Sequence, residues 1–287
     1  MKTKEPERML RIAVPNKGML SVTADEMLQE AGYRGRHDSR ELVAIDPRNN
    51  VEFFYLRPRD IATYVGSGVL DIGVTGRDLL LDAESEATEV RALDFGDSTF
   101  RFAGPAGQFT DVSQLQGKRV ATSYEGLLRT WFDEHGIDAT LVKLDGAVES
   151  AIRLGVADAV ADVVSTGGTL RKAGLEVFGP VILESTAVLI STPEKVDAAA
   201  TLIGRLEGVL VARKYALMDY DIPTDRVEQA VAVTPGFQSP TISPLRDTEW
   251  VAVRSMVPVG DVNAIMDELH GLGARAIIVT ALQAARM

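Results

Sequence analysis

Cysteine is absent from the chain. That excludes disulfides, thiolate metal sites and a cysteine nucleophile, and it fits a reducing compartment, the cytoplasm. Histidine is scarce: His37, His135 and His270 lie far apart and show no metal-ligand spacing. His37 sits in the charged loop RGRHDSRE and reads as solvated. His135 reads as a C-terminal helix cap before Gly136, and His270 as a dipole partner at the end of the last helix. Basic residues are outnumbered, 30 Lys plus Arg against 41 Asp plus Glu, and the formal charge of −11 excludes the basic stripe that a nucleic-acid surface needs. A small anionic ligand, held by a few local cations, remains open. No apolar run approaches the length that spans a bilayer, so no membrane association is expected. There is no G-x-S-x-G elbow, no recognisable Ser-His-Asp set and no G-x-x-x-x-G-K-[ST] loop, which argues against hydrolases of that kind and P-loop kinases. Residues 1–8, MKTKEPER, lack the apolar core of a signal peptide. They read as an added extension or a disordered lead-in, with Met9 an alternative start.

What is present is an ordinary globular balance, 46% hydrophobic and 25% charged over 287 residues, enough for one large or two to three ordinary domains. The first two thirds alternate short apolar runs with amphipathic stretches, the pattern of an α/β fold with mostly parallel strands. Strands are expected at Leu10–Val14, Val51–Leu56, Leu70–Val74, Lys118–Thr122, Thr140–Leu144, Ala159–Val164 and Leu183–Ser191. Helices are expected at Leu20–Ala31 (closed by Gly32), Asp60–Val65, Tyr124–His135, Val148–Leu154 and Pro193 to about Arg213. The tail changes character. Strands at Tyr215–Ile222, Trp250–Val257 and Ala276–Thr280, an extended piece at Pro240–Pro244, and helices at Thr224–Val231 and Asp261–His270 (closed by Gly271) give β-α-β-β-α-β, the ferredoxin-like arrangement. A domain boundary is expected near Ala212.

One internal echo stands out. GVLDIGVTG (Gly68–Gly76) and GVADAVADVVSTG (Gly155–Gly167) each follow a helix, run Gly-Val-x-Asp into an apolar strand, and end in Thr-Gly before a helix. Any helix–Gly–strand unit can look this way. Two such units point to two similar lobes presenting strand ends to one cleft, where ligands of parallel sheets sit.

Those strand ends carry the candidate chemistry. In DVVSTGGTL (Asp162–Leu170) a strand ends in glycines that let the backbone come close to a ligand, and hydroxyls and peptide N–H groups converge at a helix start. Ser165, Thr166, Gly167, Gly168 and Thr169 can therefore cradle a phosphate monoester. Asp162 can accept bonds from ribose hydroxyls, and Glu149 can do likewise or reach a Mg²⁺. An ordinary strand-to-helix turn would look the same. Lys17, in PNKG, and Arg57 and Arg59, in LRPRD, place cations after two strands, where they suit phosphates. A solvated lysine, or arginines bridging to neighbouring carboxylates, would also account for them. TGRD adds Arg77 and Asp78. Tyr124 can flank a base or pack in the core.

These residues resemble one family closely: ATP phosphoribosyltransferase in its long form. The resemblance runs over nearly the whole chain after Arg8. It is carried by AVPNKG, LRPRDIATYVGSGVLDIGVTGRD, LDGAVESAIRLGVADAVADVVSTGGTL, TPGFQSPTISPL and MDELHGLGARAII. It implies a two-lobed periplasmic-binding-protein-like catalytic region, with residues 1–97 and 185–212 in one lobe and 98–184 in the other. A ferredoxin-like regulatory domain would follow over residues 213–287. It implies attack of adenine N1 of ATP on C1 of phosphoribosyl pyrophosphate with Mg²⁺ present, the first step of histidine biosynthesis. Lys17 and Arg57 would take the pyrophosphate or triphosphate, Asp162 and Glu149 the ribose hydroxyls or the metal shell, Ser165–Thr169 the 5-phosphate, and Asp78 and Tyr124 the nucleotide. In the tail it implies feedback inhibition by L-histidine through Asp221, Phe237, Ser239 and Thr241, in a homo-oligomer that moves between dimer and hexamer. Many relatives carry another residue where Gly168 stands, and Pro where Glu125 follows Tyr124. Two alternatives are a non-catalytic solute-binding or sensor protein of the same architecture, and a type I phosphoribosyltransferase, whose loop usually carries paired acidic residues where this chain has only Asp162.

Overall fold

In the computed structural model, which describes residues 8–286, the chain forms two compact units. The lead-in read over residues 1–8 lies outside the described residues, apart from Arg8, which reaches the Asp71 carboxylate at 3.4 Å. The first unit runs to Gln29 and from Tyr33 to Ala200; the second takes Glu30–Gly32 and everything from Thr201.

The first unit opens with β1 (Leu10–Pro15), α1 (Met19–Glu30), β2 (Val43–Asp46), β3 (Val51–Leu56), α2 (Pro58–Gly66), β4 (Ile72–Gly76), α3 (Arg77–Asp82) and β5 (Thr88–Ala92). The chain then crosses into a second sheet with β6 (Ser98–Pro105), β7 (Arg119–Thr122), α4 (Glu125–His135), β8 (Thr140–Lys143), α5 (Ser150–Arg153), β9 (Ala159–Val164), α6 (Gly168–Lys172) and β10 (Leu175–Ser185). It returns to the first sheet as β11 (Ala187–Ser191). The strand orders are β2-β3-β1-β4-β11-β5 and β10-β6-β9-β7-β8. Two sheets, each with helices packed on it and joined by two crossings, make the two-lobed, periplasmic-binding-protein-like α/β architecture.

Packing explains the local choices. Ile12, Ala13 and Val14 are fully buried at the centre of the first sheet, so β1 reads as an unbroken apolar run. Pro58 opens α2, whose Ile61, Ala62 and Val65 form one buried stripe. Gly73 lets that helix sit close, because a Cβ there would lie 2.7 Å from the Ile61 side chain and 3.0 Å from Ala13 Cβ. In the second sheet, Phe100 and Phe102 of β6 pack with Leu128, Trp131 and Phe132 of α4 and with Phe178 of β10.

The internal echo has a structural meaning. Asp71 and Asp158 each stand immediately before a strand, β4 or β9, and accept the backbone N–H of an arginine of the neighbouring parallel strand, Arg11 at 2.8 Å and Arg119 at 2.9 Å. Each also donates its own N–H to that arginine's carbonyl. The repeated aspartate pins strand register in each sheet.

Several expectations need correction. The sheets are mixed rather than mostly parallel: β2, β5, β6, β10 and β11 enter antiparallel pairs. The run Leu183–Ser191 is not one strand. It breaks at Thr186, whose carbonyl accepts Arg77 N–H and whose hydroxyl donates to Phe95 O, and the flanks belong to different sheets. The helix expected from Pro193 starts at Ala200, because the preceding turn is tied down by Lys195, which bonds Gly68 O at 2.5 Å and Asp71 at 2.8 Å.

The second unit continues with α7 (Ala200–Lys214, its first residue closing the first unit), β12 (Tyr215–Pro223), α8 (Val227–Val233), β13 (Thr241–Pro244), β14 (Trp250–Pro258), α9 (Val262–Gly271) and β15 (Arg275–Ala281). Its antiparallel sheet, ordered β13-β14-β12-β15, is the ferredoxin-like arrangement. Ala216, Met218, Tyr220 and Ile222 alternate along β12 into the core shared with α8 and α9. Gly271 does not close α9. It is helical, Leu272 follows, and Gly273 takes the left-handed conformation at φ 92°.

Candidate active site

The first unit's strands deliver the candidate residues at their carboxyl ends. Lys17 follows β1 and Arg57 follows β3; both are exposed and form no ion pair among the described residues. Asp78 follows β4 in the first turn of α3 and is buried. Its Oδ1 accepts the Ser185 hydroxyl at 2.7 Å, and its N–H donates to the same Ser185 oxygen at 3.1 Å. Tyr124 precedes α4, packing edge-on against Phe100 at 5.2 Å between ring centres, with its hydroxyl near the Asp78 carboxylate. Glu149 precedes α5, and Asp162 lies within β9.

Electrostatics tie part of this set together. Burial pushes the Asp162 carboxyl above the ordinary carboxylate range. The Val163 N–H opposes that push, the charges of Glu149 and Asp78 add to it, and Arg59 partly offsets it. Burial, with the charge and hydrogen bond of Asp78, likewise drives the Tyr124 phenol far above its usual value. Asp162, Glu149, Asp78, Tyr124 and Arg59 therefore share one electrostatic neighbourhood spanning both sheets.

The hydroxyl-and-glycine loop sits where β9 gives way to α6. Gly167 is left-handed at φ 66° and precedes the helix, Gly168 and Thr169 open it, and Ser165 and Thr166 are exposed. The leading N–H groups of a helix have no intrahelical acceptor. Arg171 folds back over the loop: one terminal N–H₂ donates to Thr166 O at 2.8 Å, and the other lies 3.1 Å from where a Cβ on Gly167 would stand.

Some residues here carry no signal in the sequence. LRPRD offers two arginines, and the resemblance implies the phosphate role for Arg57. It is Arg59 that donates to Asp82 at 2.6 Å and lies 4.7 Å from the centre of the Tyr124 ring. Asp82, Ser185 and Arg171 carried no signal, since their partners are distant in sequence or depend on side-chain direction. The histidines are structural where their contacts are seen: His135 stacks on Trp131 at 3.8 Å and bonds its carbonyl at 2.8 Å.

In the second unit, Asp221 lies on β12, Thr241 opens β13, and Phe237 and Ser239 lie on the exposed segment before it. One chain does not bring them together. β14 lies between Asp221 and Thr241. Phe237 packs edge-on against Tyr215 at 5.7 Å, at the far end of β12, about 20 Å of strand from Asp221.

A half-buried aspartate before a hydroxyl-and-glycine loop, near a second carboxylate and a cation, suits a sugar phosphate. The ATP phosphoribosyltransferase (HisG) family model matches residues 57–208, and that of the HisG C-terminal domain matches 212–284. The chain is 64% identical to the ATP phosphoribosyltransferase of Arthrobacter sp. (strain FB24) and 63% identical to that of Paenarthrobacter aurescens (strain TC1), covering 97% of this chain and 100% of each relative. Among solved structures it is similar to a chain of the ATP phosphoribosyl transferase (HisG:HisZ) complex from Thermotoga maritima, at TM-score 0.62 and 27% identity, over 70% of this chain and 98% of that one. With both domains matched and close relatives aligned over their full length, the chain belongs to the ATP phosphoribosyltransferase family.

Proposed function

We propose that the protein condenses ATP with phosphoribosyl pyrophosphate to give phosphoribosyl-ATP and pyrophosphate, the first step of histidine biosynthesis, in the cytoplasm. The observation that carries the reading is Asp162: a half-buried carboxyl, within reach of the Glu149 charge, on the strand that runs straight into the Ser165–Thr169 loop. In this reading the loop holds the 5-phosphate and Asp162 and Glu149 face the ribose. Adenine N1 forms the bond to C1 with its own lone pair as the bond from C1 to pyrophosphate breaks, so no strong general base is required. The anomeric carbon gains positive character, which the two carboxylates stabilise. Lys17 and Arg57, exposed and uncommitted, take up the negative charge of the departing pyrophosphate. Asp78 and Tyr124 form the nucleotide side.

The donor set fits Mg²⁺, which takes hard oxygen ligands and usually binds through one or two carboxylates plus substrate phosphates. Asp162 and Glu149 are such a pair, and like-charge crowding around Asp162 is what a divalent cation relieves. When bound, the ion would neutralise phosphate charge.

We take the two sheets of the first unit as the catalytic lobes and the ferredoxin-like unit as regulatory. On that basis the chain needs no separate regulatory subunit. L-Histidine binding through Asp221, Phe237, Ser239 and Thr241 then calls for more than one copy, since a single chain keeps Asp221 and Phe237 apart. Histidine would act by favouring a hexamer with a constrained cleft.

Incubation with ATP, phosphoribosyl pyrophosphate and Mg²⁺ should yield an adduct with shifted ultraviolet absorbance. Folded protein that forms none removes the reading. Asp162→Ala and Thr169→Val should each depress kcat by about 100-fold or more while circular dichroism is unchanged. Near-wild-type rates would discredit the loop assignment.

A further inference from the structure

The N-terminus of helix α4 carries no side-chain cap of its own. Tyr124, at its N-cap, makes no side-chain cap bond. Instead Asp82, the last residue of α3, reaches from the other lobe: its Oδ1 accepts the N–H of Gly126 at 3.0 Å and of Leu127 at 3.3 Å. Its Oδ2 accepts Arg59 at 2.6 Å. The Arg59 guanidinium lies on the face of the Tyr124 ring, whose other close ring contact is Phe100. The approach is built to fit, because a Cβ on Gly126 would stand 2.5 Å from the Asp82 carbonyl oxygen. One carboxylate thus fixes α4 through its leading amides and Tyr124 through Arg59.

We propose that Asp82 is a positioning residue for the nucleotide: by capping α4 across the cleft and holding Arg59 against Tyr124, it sets the wall on which the base of ATP lies. The inference rests on the nucleotide-side assignment of Tyr124. A merely structural role for Asp82 would weaken both substrates together, whereas a positioning role is selective.

The test uses the full-length protein. Asp82→Ala should raise the KM for ATP about tenfold, leave that for phosphoribosyl pyrophosphate within about twofold, and speed hydrogen exchange at the Gly126 and Leu127 amides about tenfold. Asp82→Asn, which keeps an acceptor for those amides but loses the ion pair, should raise the ATP KM less, and it stands in if the alanine variant fails to fold. Arg59→Ala added to Asp82→Ala should cost little more, because both act through one contact. Unchanged exchange at both amides, an equal rise in the two KM values, or fully additive effects would each overturn the proposal. A wild-type protein that forms no adduct defeats the reaction reading instead, and the amide exchange still reports whether the cap exists.

Discussion

At the scale of single residues, the site sets charge against stability. The Asp162 carboxyl is held above its ordinary pKa, first by burial and then by Glu149 and Asp78. Its ionised form is therefore less comfortable in the folded protein than in the unfolded chain. The sign follows: the penalty on folding grows as the pH rises above the ordinary value of 3.8 and is complete once the pH has passed the folded value. Asp162→Asn should lower turnover by about 100-fold and leave the thermal midpoint, measured without substrates, equal to or above that of the wild type. A lower midpoint would show that the carboxylate stabilises the fold. The two glycines of the loop divide in a similar way. Gly167 needs a positive φ and has Arg171 pressed against it, whereas a Cβ on Gly168 meets only Thr166 Oγ1 at 3.6 Å. Gly167→Ala should therefore raise the KM for phosphoribosyl pyrophosphate about tenfold, and Gly168→Ala less than about twofold, in parallel steady-state assays. The place of Asp162, on a strand that runs into the loop, was legible from the apolar run around it and the glycines that follow. The choice between Arg57 and Arg59 was not. Both stand in LRPRD, and only the fold reveals that the second finds Asp82, an acceptor at the end of another helix.

At the scale of elements, the legible pieces are those whose pattern is local. β1 and β4 are buried at the sheet centre and read as apolar runs. α4 reads as amphipathic, and Gly136 after His135 closes it in the left-handed conformation. The strands missed in sequence depend on distant partners: β6 lies between β9 and β10, and β2 is an edge strand with exposed Val43 and Ile45. The turn after β2 also yields a pH prediction. Burial pushes the Asp46 carboxyl up, but hydrogen bonds from the Asn49 side chain and from the backbone N–H groups of Arg34, Asn49 and Arg48 outweigh it, and the net position is below the ordinary value of 3.8. A carboxylate held down in the folded state contributes stability above its unfolded pKa and loses it as the pH falls through the folded one. Asp46→Ala should cost about 2 kcal/mol at pH 7 by leaving those donors unpaired. In urea titrations the gap to wild type should narrow as the pH falls below 3.8. A gap of constant size down to pH 2 would assign the cost to packing.

At the scale of the whole molecule, the two echoing units of sequence became two sheets, and the aspartate in each became a register pin rather than a ligand. The crossings between the sheets were invisible in sequence, because the apolar run through Thr186 gives no sign that its halves serve different sheets. The tail's β-α-β-β-α-β order was plain, since its strands alternate and its helices are amphipathic. Its proposed histidine site was less so: Asp221 and Phe237 belong to opposite ends of β12. If histidine contacts both, each site joins Asp221 of one copy to the Phe237–Thr241 segment of another, and the two halves can be separated by mutation. Asp221→Ala and Ser239→Ala homo-oligomers should each lose histidine inhibition. Dissociating, mixing and reassembling the two should regenerate a minority of intact sites, about a quarter at equal mixing if copies assort at random and each site draws on one pair. Calorimetric titration of the mixture with L-histidine, against each variant alone, reads that fraction directly. Failure of the mixture to recover any tight binding, with reassembly verified by native mass spectrometry, would place the whole site within one chain or away from these residues.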